Sequence, residues 1–368
     1  MRSIESSKSH SCEKSNVTDL ARRLLAWFDQ HGRKDLPWQL EANPYRIWIS
    51  EIMLQQTQVQ TVIPYFEAFM NRFPALNDLA DANIDDVLAH WSGLGYYARA
   101  RNLHRAAQTV RDEHGGKFPD AIDAVESLPG IGRSTAGAIL SLAFEQRQAI
   151  LDGNAKRVLA RHAAIGGWPG QAEVATKLWE LADKHTPSKR VADYTQAIMN
   201  LGATLCIRSK PRCGECPVRS DCIARETDEV AAYPGRKAKK KKPLRDTIMI
   251  MAMAGNAVYM ERRPASGIWG GLWSFPELEE AGVEDWCSEI SGDGVVDREN
   301  WGPLRHSFSH YDLDIHPVVV RCTQLKSAVA DSPDSTWYQL DQRPPGGIAA
   351  PVRKLIDSLR NGDNVQNH

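Results

Sequence analysis

The spacing of apolar residues changes once along the chain, and that change limits what it can fold into. From Val17 to about Arg225 apolar side chains recur at helical intervals, as in Leu20, Leu24, Trp27 and Phe28, or Val59, Val62, Ile63, Phe66 and Met70. Leu103, Ala106 and Val110 continue the pattern, as do a small-residue segment from Thr135 to Leu142 and the stripe Val174, Leu178 and Leu181. No segment here alternates as a strand does, so the spacing predicts an all-helical domain. After residue 245 the period falls to two. Asp246 to Ala254 and Ala257 to Glu261 read as strands around a Gly255-Asn256 turn, and Tyr311, Leu313 and Ile315 alternate with Asp312, Asp314 and His316. With a closing helix from about Pro351 to Arg360, this second part reads as a mixed α+β domain.

Between the two, residues 226–245 carry few apolar side chains and include Arg236-Lys237-Ala238-Lys239-Lys240-Lys241-Lys242-Pro243, which reads as a basic linker. A solvated tether explains the lysines more simply than a strap on DNA. The expected organisation is a polar tail over 1–16, a helical domain over 17–225, the linker over 226–245 and the α+β domain over 246–362. The formal net charge of −1 hides an asymmetry. Residues 1–225 hold 28 Lys and Arg against 25 acids, 226–245 hold 7 against 3, and the remainder hold 10 against 18. A near-neutral total therefore does not exclude a nucleic-acid face, which needs only local positive potential. The 42 % hydrophobic and 25 % charged residues exclude a disordered or collagen-like chain. Apolar runs such as Ile248 to Ala254 fall far short of the roughly 20 residues of a membrane span. The polar start, without an apolar core, argues against secretion and favours the bacterial cytoplasm.

Four of seven cysteines lie together, as Cys206-x6-Cys213-x2-Cys216-x5-Cys222. An odd total without a secretion signal favours thiolate ligation over disulfides. Four thiolates suit tetrahedral zinc or an iron–sulfur cluster, and spacing does not choose between them. Arg208, Lys210, Arg212, Arg219 and Arg225 surround the group, either balancing the thiolates or facing phosphate. Cys12, Cys287 and Cys322 need only ordinary packing or surface roles.

Upstream, Leu128-Pro129-Gly130-Ile131-Gly132-Arg133-Ser134 precedes a helix, so residues 128–134 read as the turn of a helix-hairpin-helix. Gly130 and Gly132 let the backbone approach a ligand, and the free N–H groups of the following helix favour an anion such as a DNA phosphate. A plain turn between helices is the simpler alternative.

These motifs, followed by Leu151-Asp152-Gly153-Asn154-Ala155-Lys156-Arg157-Val158 and the four-Cys loop, resemble the endonuclease III superfamily of DNA base-excision enzymes. Ser50-Glu51-Ile52-Met53-Leu54-Gln55-Gln56-Thr57-Gln58-Val59 and Gly93-Leu94-Gly95-Tyr96-Tyr97-Ala98-Arg99-Ala100-Arg101 narrow the resemblance to its MutY-type adenine DNA glycosylases. The likeness runs from about Val17 to Arg360 and implies a [4Fe–4S] cluster on Cys206, Cys213, Cys216 and Cys222. It also implies excision of adenine mispaired with 8-oxoguanine or guanine in duplex DNA, by a monomer.

By the same resemblance Glu51 is the general acid toward adenine and then the base toward water, although a random Glu in such a helix is usually exposed. Asp152, by itself a plain helix N-cap, becomes the carboxylate that stabilises the cationic sugar, assisted by Asn154. Ser134 stands where strand-cutting relatives resemble one another in a Schiff-base Lys, which implies a monofunctional enzyme. Gln56 and Tyr96 resemble wedge residues beside the mispair, with Gln55 next to them, and Gln196 resembles a contact to the extruded adenine. In the second domain, residues 267–276 resemble the front of a Nudix-type domain, but the acidic residues 277–285 lack its full magnesium box, which argues against pyrophosphate hydrolysis. His306-Ser307-Phe308-Ser309-His310 resembles an 8-oxoguanine-recognition loop, with Phe308, Ser309 and His310 as the reading residues. The rivals are a lyase-active endonuclease III relative and a non-catalytic, metal-stapled DNA-binding protein; Ser134 and the second domain oppose the first, the Glu51 and Asp152 contexts the second.

Overall fold

The computed structural model describes residues 17–41, 43–238, 241–291, 295–322 and 332–362; the polar tail with Cys12, and Lys239 and Lys240 of the basic run, lie outside them. None of the described helices is long and apolar enough to cross a membrane. The chain forms two compact units, one of residues 1–51, 120–127 and 131–237, the other of residues 52–119, 128–130 and 238–368.

The first unit is helical. Asp19–His31 opens it, capped by the Thr18 hydroxyl, which accepts the Ala21 N–H. Its stripe of Leu20, Leu24, Leu25 and Phe28 packs in one core with Leu151, Val158 and Leu159, and with Tyr194, Ile198 and Leu201 of the helix Val191–Thr204. The helix Arg133–Phe144 follows the glycine hairpin, and Gly153–His162 follows Leu151-Asp152.

The second unit combines helices with a sheet. In its helical segment Phe69 lies 4.8 Å from Phe73 and meets Trp91 edge-on at 6.1 Å, all three fully buried. The strands are β1 (Leu244–Ala254), β2 (Ala257–Arg262), β3 (Trp273–Ser274), β4 (Glu277–Leu278), β5 (Val295–Asn300), β6 (Leu304–Ser307), β7 (Asp312–Cys322) and β8 (Ser335–Gln339). They form one mixed sheet, ordered β3-β2-β1-β7-β5, with β4 against β1, β6 against β7 and β8 against β2. β1 and β7 run parallel, pairing Ile248 with His316 and Ile250 with Val318, while β1 and β2 form the expected hairpin across Gly255, whose φ is +58°. The closing helix spans Ala350–Asn361.

Two features differ from the sequence reading. The expected linker is divided: Val230 and Tyr233 are bonded into the helical unit by Arg161, and β1 begins at Leu244. Residues 52–119 are helical as expected but cluster with the second domain. Asp85 on the helix Ile84–Trp91 pairs with Arg262 of β2 at 2.6 Å, and the Ile348 carbonyl accepts from Ser92 at 3.0 Å and Tyr97 at 3.1 Å. Gly347 lies so close to Leu88 that a Cβ would stand 2.8 Å from its carbonyl oxygen. Periodicity marks a helix; it does not name the core the helix joins.

Candidate active site

Glu51 sits on the helix Pro44–Leu54 between Trp48 and Met53, both fully buried. It keeps part of its surface exposed. Desolvation, reinforced by the charge of Asp152, raises its carboxyl pKa to about 8. At neutral pH this group carries a proton, as a general acid must.

Asp152 caps the helix Gly153–His162: Oδ1 accepts the Ala155 N–H at 2.7 Å and Oδ2 accepts the Asn154 amide at 3.1 Å. The capping alternative is thus the observed geometry, and it is compatible with the catalytic one, because the cap aims and holds the carboxylate. Ser134, in the first turn of Arg133–Phe144, accepts the Leu151 N–H at 2.9 Å and so fixes the residue before Asp152.

The hairpin has the expected form. Gly130 has φ +81° and lies against Asn102, where a Cβ would come within 2.8 Å of the Asn102 Cβ. Gly132 differs: its φ is −106° and no protein atom lies within 4 Å of a built Cβ, so packing does not require glycine there. It is the N-cap of the helix, and no side chain caps the first N–H groups that follow.

Gln196 lies on Val191–Thr204, where its carbonyl accepts the Asn200 amide at 2.9 Å; Asn200 in turn accepts from Arg33 Nε at 2.6 Å. Arg33 was not singled out in the sequence, although a charged residue before Leu36-Pro37-Trp38 needs a partner if buried. Gln56 follows Gln55 in a turn after Leu54 with φ +59°, and Tyr96, 52 % exposed, has φ +49°.

Cys206, Cys213, Cys216 and Cys222 line one small pocket, walled by Val158, Leu201, Leu205 and Val218. Burial pushes the Cys216 thiol up to about 11 and raises that of Cys222, a cost that ligation to a cationic centre offsets. The sequence reading passed over the residues that hold this loop. Arg161, 3 % exposed, donates to the carbonyls of Cys206, Ile207, Arg208, Val230 and Tyr233. One turn earlier Arg157 donates to the Cys206 and Gly202 carbonyls, both at 2.6 Å, and to Asn154 Oδ1 at 2.9 Å. An i, i+4 pair of arginines on the helix after Asp152 is the only local hint of this, and it reads equally as a solvated face.

In the second unit Phe308 joins an aromatic group: Trp269 at 5.2 Å, His306 at 4.6 Å, His310 at 6.3 Å and Tyr311 at 4.8 Å. Ser309 and His310 are exposed, their Oγ and Nδ1 3.3 Å apart. Lys242, from the basic run, donates to the Phe308 carbonyl at 2.6 Å, so this lysine at least is engaged by the loop. Glu277 pairs with Arg263, and the helix Val283–Ser291 follows.

Both parts of the chain match known families. Residues 49–184 match the HhH-GPD superfamily of base excision DNA repair proteins, and residues 247–358 match the NUDIX domain. The chain is 38 % identical over 340 residues to the adenine DNA glycosylase of Buchnera aphidicola subsp. Acyrthosiphon pisum, covering 92 % of this chain and 96 % of that protein. It is 32 % identical over 410 residues to the adenine DNA glycosylase of Homo sapiens, covering 93 % and 74 %. Among solved structures, a thermostable thymine-DNA glycosylase aligns with a TM-score of 0.50 and 27 % identity over 56 % of this chain and 95 % of its own. The fold is that of a helix-hairpin-helix DNA glycosylase joined to a Nudix-type domain. Within that class, the chain belongs to the adenine DNA glycosylase family.

Proposed function

We propose that the chain hydrolyses the N-glycosidic bond of adenine mispaired with 8-oxoguanine or guanine in duplex DNA and leaves the strand uncut. The observation that carries this reading is the carboxyl of Glu51, raised to about 8 within the field of Asp152. Two carboxylates whose environments differ supply one acid and one base. Protonated Glu51 gives its proton to a ring nitrogen of the extruded adenine, and the glycosidic bond breaks with its electron pair leaving on the base. Asp152, held by the Ala155 N–H and Asn154, faces the positive sugar that remains. Glu51, now ionised, takes a proton from water, whose oxygen bonds to the anomeric carbon; the product is an abasic site.

Ser134 supports the monofunctional reading, because a hydroxyl already bonded to the Leu151 N–H offers no amine for a Schiff base. The helix start at Gly132, which no side chain caps, suits a DNA phosphate, and the exposed Ser309 and His310 beside Phe308 offer polar groups to the edge of an altered purine. For the cysteines we infer a [4Fe–4S] cluster, which would be held by Cys206, Cys213, Cys216 and Cys222 and would tie the loop to the end of the helix Val191–Thr204. Four thiolates beside an apolar wall fit such a cluster, and membership of the adenine DNA glycosylase family supports it over a lone zinc ion.

The test is a set of single-turnover assays on duplexes with adenine opposite 8-oxoguanine, guanine or thymine, each divided between samples with and without hot alkali. Alkali-dependent cleavage at adenine in the first two duplexes is the expected result. Cleavage without alkali overturns the monofunctional assignment, and an absence of cleavage by iron-replete protein overturns the enzymatic one.

A further inference from the structure

Gln56 and Tyr96 sit on two turns that L-residues avoid. Their φ values of +59° and +49° lie in the left-handed region, and Tyr96 is preceded by Gly93 at +106° and Gly95 at +71°. A non-glycine residue held there is strained, so something must hold the turns.

Arg99, 8 % exposed, does so. Its Nη1 donates to the carbonyls of Ile52 and Met53, both at 2.9 Å, and of Gln55 at 2.6 Å. Its Nη2 donates to Thr57 Oγ1 at 3.3 Å and to the carbonyls of Leu94 at 3.3 Å and Gly95 at 3.2 Å. The guanidinium also lies 5.3 Å from the Trp91 ring centre and 5.7 Å from that of Tyr96. The last carbonyls of a helix lack intrahelical partners. Here those of Pro44–Leu54 and those of the glycine turn converge on one cation. Burial lowers its pKa to about 10, which leaves it charged at neutral pH.

We propose that Arg99 is the positioning residue for base extrusion, ordering the Gln56 and Tyr96 turns together before DNA binds. The proposal rests on reading those two residues as the wedge. A planar fork can serve two segments at once, whereas a lysine at this position offers three N–H groups from a single point and cannot span them.

The experiment uses full-length protein and a duplex in which 2-aminopurine replaces the target adenine opposite 8-oxoguanine, with the rise in fluorescence reporting unstacking. Gln56→Ala and Tyr96→Ala are measured first. If both leave unstacking unchanged, the wedge reading fails and the proposal fails with it. If they slow it and Arg99→Lys does not, the wedge reading stands and Arg99 is excluded. The expected result for Arg99→Lys is a loss of about tenfold or more in unstacking and in single-turnover excision of paired adenine, as the loss of charged hydrogen bonds implies. Excision of an adenine already unstacked between two flanking mismatches should fall much less. An equal fall on both substrates means a general structural defect and overturns the proposal. Should Arg99→Lys not fold, Thr57→Val removes one of the acceptors while keeping the cation buried. It should then show the same split between substrates at about threefold, and absence of the split overturns the proposal.

Discussion

The hydroxyl of Ser134 accepts the backbone N–H of Leu151 at 2.9 Å, so the start of one helix holds the residue that leads into the next. Leu151 is 1 % exposed, and Asp152 follows it directly. Ser134→Ala leaves that N–H without its partner, at about 1–2 kcal/mol. The expected outcome is a lower melting temperature, a several-fold slower single-turnover excision and a product that still needs alkali to break. Unchanged melting and unchanged rate would show that the bond contributes nothing to placing Asp152.

Glu51 predicts a pH profile. Its pKa rises from the ordinary 4.5 to about 8, so between those values the folded protein holds a proton that the unfolded chain has released. Stability from this group is therefore greatest at low pH and declines as pH rises through that window. Excision should be level in Glu51 ionisation up to about pH 7 and fall about tenfold per unit well above pH 8. Glu51→Gln should abolish excision yet melt no lower than the parent at pH 8, since a neutral amide replaces a desolvated acid. A rate that keeps climbing to pH 9 contradicts the assignment.

Asp152 has two roles that substitutions can separate. Asn caps helices about as well as Asp, so Asp152→Asn should keep its melting temperature and its duplex affinity while losing excision. Asp152→Ala should lose excision and about 1 kcal/mol of stability as well. Calorimetry beside single-turnover kinetics distinguishes them, and near-normal excision by the Asn variant would remove Asp152 from the chemistry.

Arg161 gathers carbonyls from the cysteine loop and from Val230 and Tyr233, so its removal strands several buried acceptors together. Arg161→Ala should cost at least about 3 kcal/mol. Iron and sulfide per chain should fall with it, whereas the parent should hold four of each. Full iron content in a stable Arg161→Ala protein would show that the loop needs no such anchor.

The loop between β6 and β7 predicts a change in selectivity. Replacing Phe308, Ser309 and His310 together by Ala should reduce the preference for adenine opposite 8-oxoguanine over adenine opposite guanine, with the second substrate little affected. Trp269→Ala, which removes the ring 5.2 Å from Phe308, should reduce that preference in the same direction by a smaller factor. The check is the ratio of single-turnover rates on the two duplexes; a constant ratio removes the loop from substrate choice.

Much of this was legible in the residues themselves. A period of 3.6 or 2 announces a helix or a strand wherever it occurs, a glycine pair before a helix announces a hairpin, and four closely spaced cysteines come to line one pocket, because each is a property of neighbouring residues. Asp152 read as a cap for the same reason, and it is one. What no local pattern holds is the set of partners. The acidity of Glu51 depends on the atoms that exclude water around it and on a carboxylate 101 positions along the chain. Arg99 reads as one more helical arginine until the fold brings residues 52–57 and 94–95 to its guanidinium. Residues 52–119 were recognisably helical, yet their docking through Asp85, Ser92 and Tyr97 onto the second domain arises from shape and hydrogen bonds across distant segments. Local residue patterns set the elements and the chemical groups available. Tertiary structure decided which groups lose water and which meet, since desolvation and Coulomb energy depend on distances in space and not on separation along the chain.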